Sequence, residues 1–413
     1  MGPRILLATS CRWYATARLA IVFAKAGCRV DLVSPLGHPA AKTKLIDRQY
    51  TYNGIRPHSS FQSAIDAAKP DLIISCDDYA TIHLRSLHAM ANSETTRQII
   101  ERSFGNPESY PAFTARSSFL RIAGSAGVAV PHTEELADLS SMRQWFATYG
   151  FPAYLKVDGT SGGVGVKLVT DIESAEQSFR QLSEPPHLVR VVKRLLVNRD
   201  NFLFQPWLKR KRSIVSTQKV IRGIEANSAI SCWQGRLLAC ISARVLERRD
   251  ATGPATVLRI LDNAQMRTTA EKVAARFGLT GLFGLDYILE EQTGTPYLIE
   301  FNGRATQTCH LNLGQGRDPV NALAHAVTGT EDTDSQKVTS RDTIALFPQE
   351  WKRDPASKYL ETAYHDVPWE YPGLMRFCMK NHLHERISYA QWVAFWSRSR
   401  SRNDGSSRPS TQL

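Results

Sequence analysis

A chain of 413 residues with 42% hydrophobic content and charges of both signs can bury a core shared by two or three lobes, which excludes wholesale disorder. No stretch approaches the roughly 20 consecutive apolar residues of a membrane-crossing helix, and residues 5–8 are too short for a secretion-signal core, so a cytoplasmic protein is expected. Seven scattered cysteines without Cys-x-x-Cys or zinc-type spacing read as reduced thiols, and a net charge of +12 suits an anionic substrate, a nucleic acid or an acidic membrane surface alike.

The chain opens as a βαβ unit: a strand over 4–10, a helix over 15–26 stopped by Gly27, and a strand over 29–34. Pro70 and Asp71 introduce a third buried strand, Leu72 to Ser75, ending at Asp77 and Asp78. This predicts a Rossmann-like N-terminal lobe over 1–110, and the lack of Gly-x-Gly-x-x-Gly leaves it without support for a dinucleotide site. Residues 93–114, rich in Ser, Asn, Pro and Gly, read as a connection. A helix over 115–126 and Gly127 then open a second domain, 111–330. It holds a hairpin on 154–157 and 166–169, a helix over 172–182, and strands near 214–222, 226–233, 236–247, 282–290 and 296–301, with a helix near 265–277. The fold class is therefore α/β in the first lobe and α+β in the second. Residues 331–403 are expected to form a helical extension, with Tyr389, Trp392, Val393 and Trp396 at helical spacing, and 404–413 a disordered tail.

Two constellations carry chemistry. In the first, Lys156 lies on a strand and is followed by a turn containing Gly159, Ser161, Gly162, Gly163 and Gly165. Glycines let backbone N–H groups approach phosphate oxygens, and a strand lysine supplies a point charge to them; an ordinary flexible hairpin is the competing reading. In the second, Asp286 lies on one strand, and Glu300 and Asn302 stand two apart on the next, so these two leave the same face. Carboxylates with an amide oxygen form the hard donor set that Mg²⁺ prefers, the alternative being a solvated sheet face.

With these elements in this order, residues 110–330 resemble the ATP-grasp superfamily, which includes D-alanine:D-alanine ligase, carbamoyl phosphate synthetase and biotin carboxylase. The resemblance implies an N-terminal pre-ATP-grasp lobe followed by a two-subdomain grasp fold. It implies that ATP is gripped by Lys156 and the segment from Gly159 to Gly165, and that Asp286, Glu300 and Asn302 bind Mg²⁺, with Mn²⁺ as a substitute. Arg304 is implied at phosphate or substrate. Gln218, Lys219, Val220 and Ile221 match the hinge strand that bonds adenine, and Glu225 stands where the family binds ribose. Arg116 takes the place of a second nucleotide-binding lysine, exchanging a compact ammonium for a planar fork. Gly303 replaces a common proline between Asn302 and Arg304.

The implied reaction joins a small-molecule carboxylate to an amine through an acyl phosphate. Asp77, Asp78, Arg259 and His310 are substrate-contact candidates, with helix capping for the two aspartates and a satisfied core histidine as competing readings. An ATP-grasp kinase or carboxylase, and a non-catalytic ATP sensor, are the rival functions. Residues 184–213 read as an insertion containing a basic amphipathic helix. A lid helix docked by its apolar side is favoured there over contact with a membrane or a nucleic acid. Oligomeric state is not readable.

Overall fold

The computed structural model describes residues 2–158, 165–194, 202–250, 253–330 and 336–380. Strands β1 (Arg4–Ala8), β2 (Arg29–Ser34), β3 (Arg48–Thr51) and β4 (Leu72–Ser75) form a parallel sheet in the order β3-β2-β1-β4. Alternation along β1 fills both faces: Ile5 and Leu7 pack with the helix Ala15–Lys25, and Leu6 and Ala8 with the helix Pro57–Ala68.

Four strands, β5 (Thr133–Leu136), β6 (Ala153–Val157), β7 (Val166–Val169) and β8 (Val215–Lys219), build a small antiparallel sheet in the order β5-β8-β6-β7. The helices Leu139–Tyr149 and Ile172–Ser183 share its core, each started by an aspartate capping box, Asp138 and Asp171. Seven strands make the large sheet: β9 (Gly223–Trp233), β10 (Arg236–Arg248), β11 (Ala255–Leu261), β12 (Gly281–Glu290), β13 (Pro296–Asn302), β14 (Thr343–Leu346) and β15 (Tyr364–Asp366). Their order is β13-β12-β9-β10-β11-β14-β15. The helix Ala264–Phe277 covers one face with Ile230, Phe283 and Leu285. The other face, through Ala229, Ile241 and Leu282, shares a core with the helix Pro319–Thr328 and the N-terminal lobe.

Three sequence expectations need correction. Residues 93–114 are not a plain connection: Ser93 caps the helix Glu94–Phe104, which buries Ile100 and Phe104 and stops at Gly105. The first lobe has a fourth strand, β3, whose Arg-Gln-Tyr-Thr sequence lies at the sheet edge and shows no apolar run. Residues 331–403 are not a helical extension alone, because their described part adds β14 and β15 to the large sheet before the helix Pro372–Lys380. The aromatic spacing from Tyr389 to Trp396 and the tail 404–413 lie outside the described residues.

Candidate functional site

The small sheet passes into the large one through Val220–Arg222, between β8 and β9, so the expected hinge residues divide: Gln218 and Lys219 close β8, and Val220 and Ile221 link the sheets. Lys156, on β6, is 7% exposed and donates its Nζ to Gln218 Oε1 at 2.6 Å. Gln218 in turn donates Nε2 to Thr133 Oγ1 at 3.1 Å, so a buried amide fixes the lysine. Burial first, and then repulsion by Arg116, draws the Lys156 ammonium down to about 8, against the pull of Glu300 and Asp286.

Arg116 opens the helix Arg116–Ser125 and reaches the large sheet, where its NH2 donates to Glu300 Oε1 at 2.8 Å. Its backbone N–H donates to Asp158 Oδ1 at 3.3 Å. Burial raises the Asp158 carboxyl to about 6. Arg116 NH1 and Asp158 Oδ2 are buried with no hydrogen-bond partner among the described residues, as polar atoms are where a ligand completes the site. Asp158 lies directly before Gly159, and it went unnoticed in the sequence because it belongs to no ligand pattern.

The two acids are brought together by strand register. Asp286 on β12 pairs directly with Glu300 on β13, and Asn302 Nδ2 donates to Asp286 Oδ2 at 2.9 Å. Burial, and then the Glu300 charge, raises Asp286 to about 6. Glu300 moves the other way: burial alone would raise it, but Arg116 and Lys156 hold it below the usual carboxylate range. No group of three His, Cys, Asp or Glu side chains able to hold a metal occurs among the described residues. The donor set is two carboxylates and an amide, and the mutual repulsion of the acids is what a hard divalent cation would relieve.

Gly284 pairs with Asn302 in the same register, and a Cβ there would stand 2.2 Å from Thr306 Cγ2 and 3.3 Å from Asn302 Cβ. Gly284→Ala is expected to destabilise the fold by about 2 kcal/mol and to lower ATP turnover by displacing Asn302. Thermal melting and steady-state ADP release check this, and a variant unchanged in both would contradict it.

Arg304 and Asp78, given separate roles by the sequence, form one ion pair, Nε to Oδ1 at 3.0 Å, across the boundary of the N-terminal lobe. The Arg304 guanidinium also lies 5.2 Å from the Trp13 ring centroid. Asp77 is a capping residue: it accepts from Tyr79 N and Ala80 N at the start of the helix Asp78–Met90, and from Thr9 Oγ1 and Ser10 N and Oγ. Its carboxylate is thus committed to the lobe's own framework. Arg85, unforeseen from sequence, lies against Gly303 within rings of Phe104, Tyr110 and Phe113, and a Cβ on residue 303 would stand 3.0 Å from its NH2. A side chain at residue 303 would therefore crowd the Arg85 guanidinium.

Glu225 stands on β9 opposite Ile288, two residues along from Asn227, the strand partner of Asp286, and is paired with Arg248 of β10. Two other candidates fall elsewhere. Arg259 is three strands along the sheet from Asp286 and donates Nε to Thr343 Oγ1 at 3.5 Å, which separates it from the acid cluster. His310 is a core histidine: its Nε2 lies 2.6 Å from Asp366 Oδ2, Asp366 also pairs with Arg18, and the His310 Nδ1 is buried with no hydrogen-bond partner among the described residues. With His310 and Asp366 side chains each 2% exposed, Asp366→Asn is expected to cost about 3 kcal/mol of stability. The KM for the carboxylate and amine substrates should not change, and a raised KM at unchanged stability would return His310 to the site. Gly165 holds a left-handed φ of 85° at the end of the glycine turn, while Gly159, Ser161, Gly162 and Gly163 lie outside the described residues.

Comparison with known proteins agrees with this architecture. Residues 196–308 match the model of the ATP-grasp domain. N5-carboxyaminoimidazole synthetase from Staphylococcus aureus complexed with ADP is similar at 14% identity and a TM-score of 0.57, covering 80% of this chain and 78% of that one. A biotin carboxylase–βγ-ATP complex from Campylobacter jejuni gives 15% identity and a TM-score of 0.59, over 80% and 71%. Phosphoribosylglycinamide synthetase from Anaerococcus prevotii gives 12% and 0.56, over 82% and 79%. No curated protein matches the sequence. The chain therefore has the ATP-grasp fold.

Proposed function

We propose that the protein is a Mg²⁺-dependent ATP-grasp ligase that activates a carboxylate as an acyl phosphate, releases ADP, and joins the acyl group to an amine. The observation that carries this reading is the directly paired Asp286 and Glu300, closed by Asn302 and faced by Lys156 and Arg116. ATP is expected between the two sheets, with its phosphates at Lys156 and Arg116 and its adenine at the backbone of Gln218 to Ile221. Asp286, Glu300 and Asn302 would hold Mg²⁺, or Mn²⁺ in its place, and the bound ion would supply charge neutralisation at the transferring phosphoryl group.

Two anions must approach each other in the first step, so the protein's own task is chiefly electrostatic. Lys156 is fixed by Gln218 and needs little reorganisation to meet the nucleotide. Arg116 has a buried NH1 in reserve for a phosphate oxygen while NH2 stays on Glu300. Arg304, held on Asp78 between the lobes, is expected to meet the carboxylate or the phosphate. The amine then attacks the acyl phosphate and phosphate leaves.

A screen of ¹⁸O-labelled carboxylates with ATP, Mg²⁺ and an amine mixture tests this reading. An acyl phosphate route delivers one ¹⁸O from the carboxylate to the released phosphate. Turnover with a condensed product and unlabelled phosphate would rule that route out.

A further inference from the structure

The described residues 185–194 and 202–213 hold seven lysines and arginines and no acid, and so carry +7 of the chain's net +12. The sequence suggested a helix over 187–196 docked by its apolar side; Leu195 and Leu196 lie outside the described residues, and in the described part most apolar side chains face outward. In the helix Leu188–Lys193, Val191 is buried while Leu188, Val189 and Val192 are 52%, 49% and 41% exposed. Phe204 and Leu208 of the helix Phe204–Leu208 are exposed as well, as is Ile214. Pro185, Leu188, Trp207, Leu208 and Arg210 line one open concavity of about 530 Å³. Beside it, Lys209, Arg210, Lys211 and Arg212 are all exposed.

The anchored side is different. Arg194 donates NH1 to Tyr79 Oη at 2.8 Å and lies over the Tyr79 and Phe202 rings, which ties the insertion to the N-terminal lobe. Charge then selects what covers the outward face. Residues 381–413 contain five arginines against two acids, and a second copy would present the same +7, so both are repelled. A nucleic acid would satisfy the cations and leave the apolar side chains in water. An anionic bilayer surface supplies headgroups for the basic residues and an acyl boundary for Leu188, Val192, Phe204 and Leu208.

We propose that the described residues 185–194 and 202–213 dock this protein peripherally on an anionic phospholipid surface. The proposal stands apart from the ligase reading and uses none of its residues. The test is co-sedimentation of the full chain with phosphatidylcholine vesicles, with or without about a third phosphatidylserine. Binding to the anionic vesicles is expected to exceed binding to neutral ones by about ten-fold or more and to fall steeply with salt. Two surface variants, Leu188→Asp with Leu208→Asp and Lys209→Glu with Lys211→Glu, should each lose about ten-fold while melting and ATP turnover stay unchanged. Absence of vesicle binding would overturn the proposal, as would binding that survives both variants. So would tighter binding to an oligonucleotide that the leucine variant leaves intact.

Discussion

Glu300→Gln is expected to lower ATP turnover by about a thousandfold and to leave the nucleotide-free fold standing. The carboxylate is a proposed metal ligand, the direct strand partner of Asp286 and the acceptor of Arg116. An amide of nearly the same shape still accepts from Arg116 through Oε1, so the helix Arg116–Ser125 keeps its tie to β13. Loss of the Glu300 charge also relieves the repulsion that helps to raise Asp286. The expected defect is therefore confined to metal-assisted chemistry. Thermal melting and ADP release measured on the same preparation separate the two effects, and turnover within ten-fold of the wild type would remove the acid cluster from the mechanism.

Lys156→Met should weaken ATP binding by about a hundredfold and abolish the melting shift that ATP gives the wild type. The same variant carries a pH signature. The folded state holds the Lys156 ammonium at about 8 against its ordinary 10.5, because burial and Arg116 disfavour the charge. Below about pH 8 both folded and unfolded chains are protonated, and the native state carries a cost on the order of 3 kcal/mol. Between about 8 and 10.5 the unfolded chain binds more protons, so this contribution to stability rises with pH. Wild type should accordingly gain stability relative to Lys156→Met across that window in the absence of nucleotide. A difference flat with pH, together with an intact ATP shift, would show that Lys156 meets no phosphate.

The elements that could be read from the sequence are those whose side chains repeat with the period of their own structure. The buried run Leu72–Ser75 and the alternation Glu300-x-Asn302 announce strands, and register then brings Asp286 to Glu300 without further information. Exposed and very short strands escape such reading: β3 is a largely exposed edge strand, and β14 and β15 have only four and three residues. Long-range partners escape it for another reason. His310 meets Asp366 from 56 residues away, and Arg85 meets Gly303 from another lobe, so no local pattern marks either. Lys156 was legible from its strand and its glycines, whereas the amide that fixes it, Gln218, had been read only as a hinge residue.

The most direct measurement is ADP release by the wild-type chain with ATP and Mg²⁺, made with a carboxylate alone, an amine alone, and both, with mass detection of products. Release that requires the pair and yields their condensation product is the predicted result. Tight ATP binding with no release across a broad panel of pairs would contradict a ligase and leave the site as a nucleotide sensor.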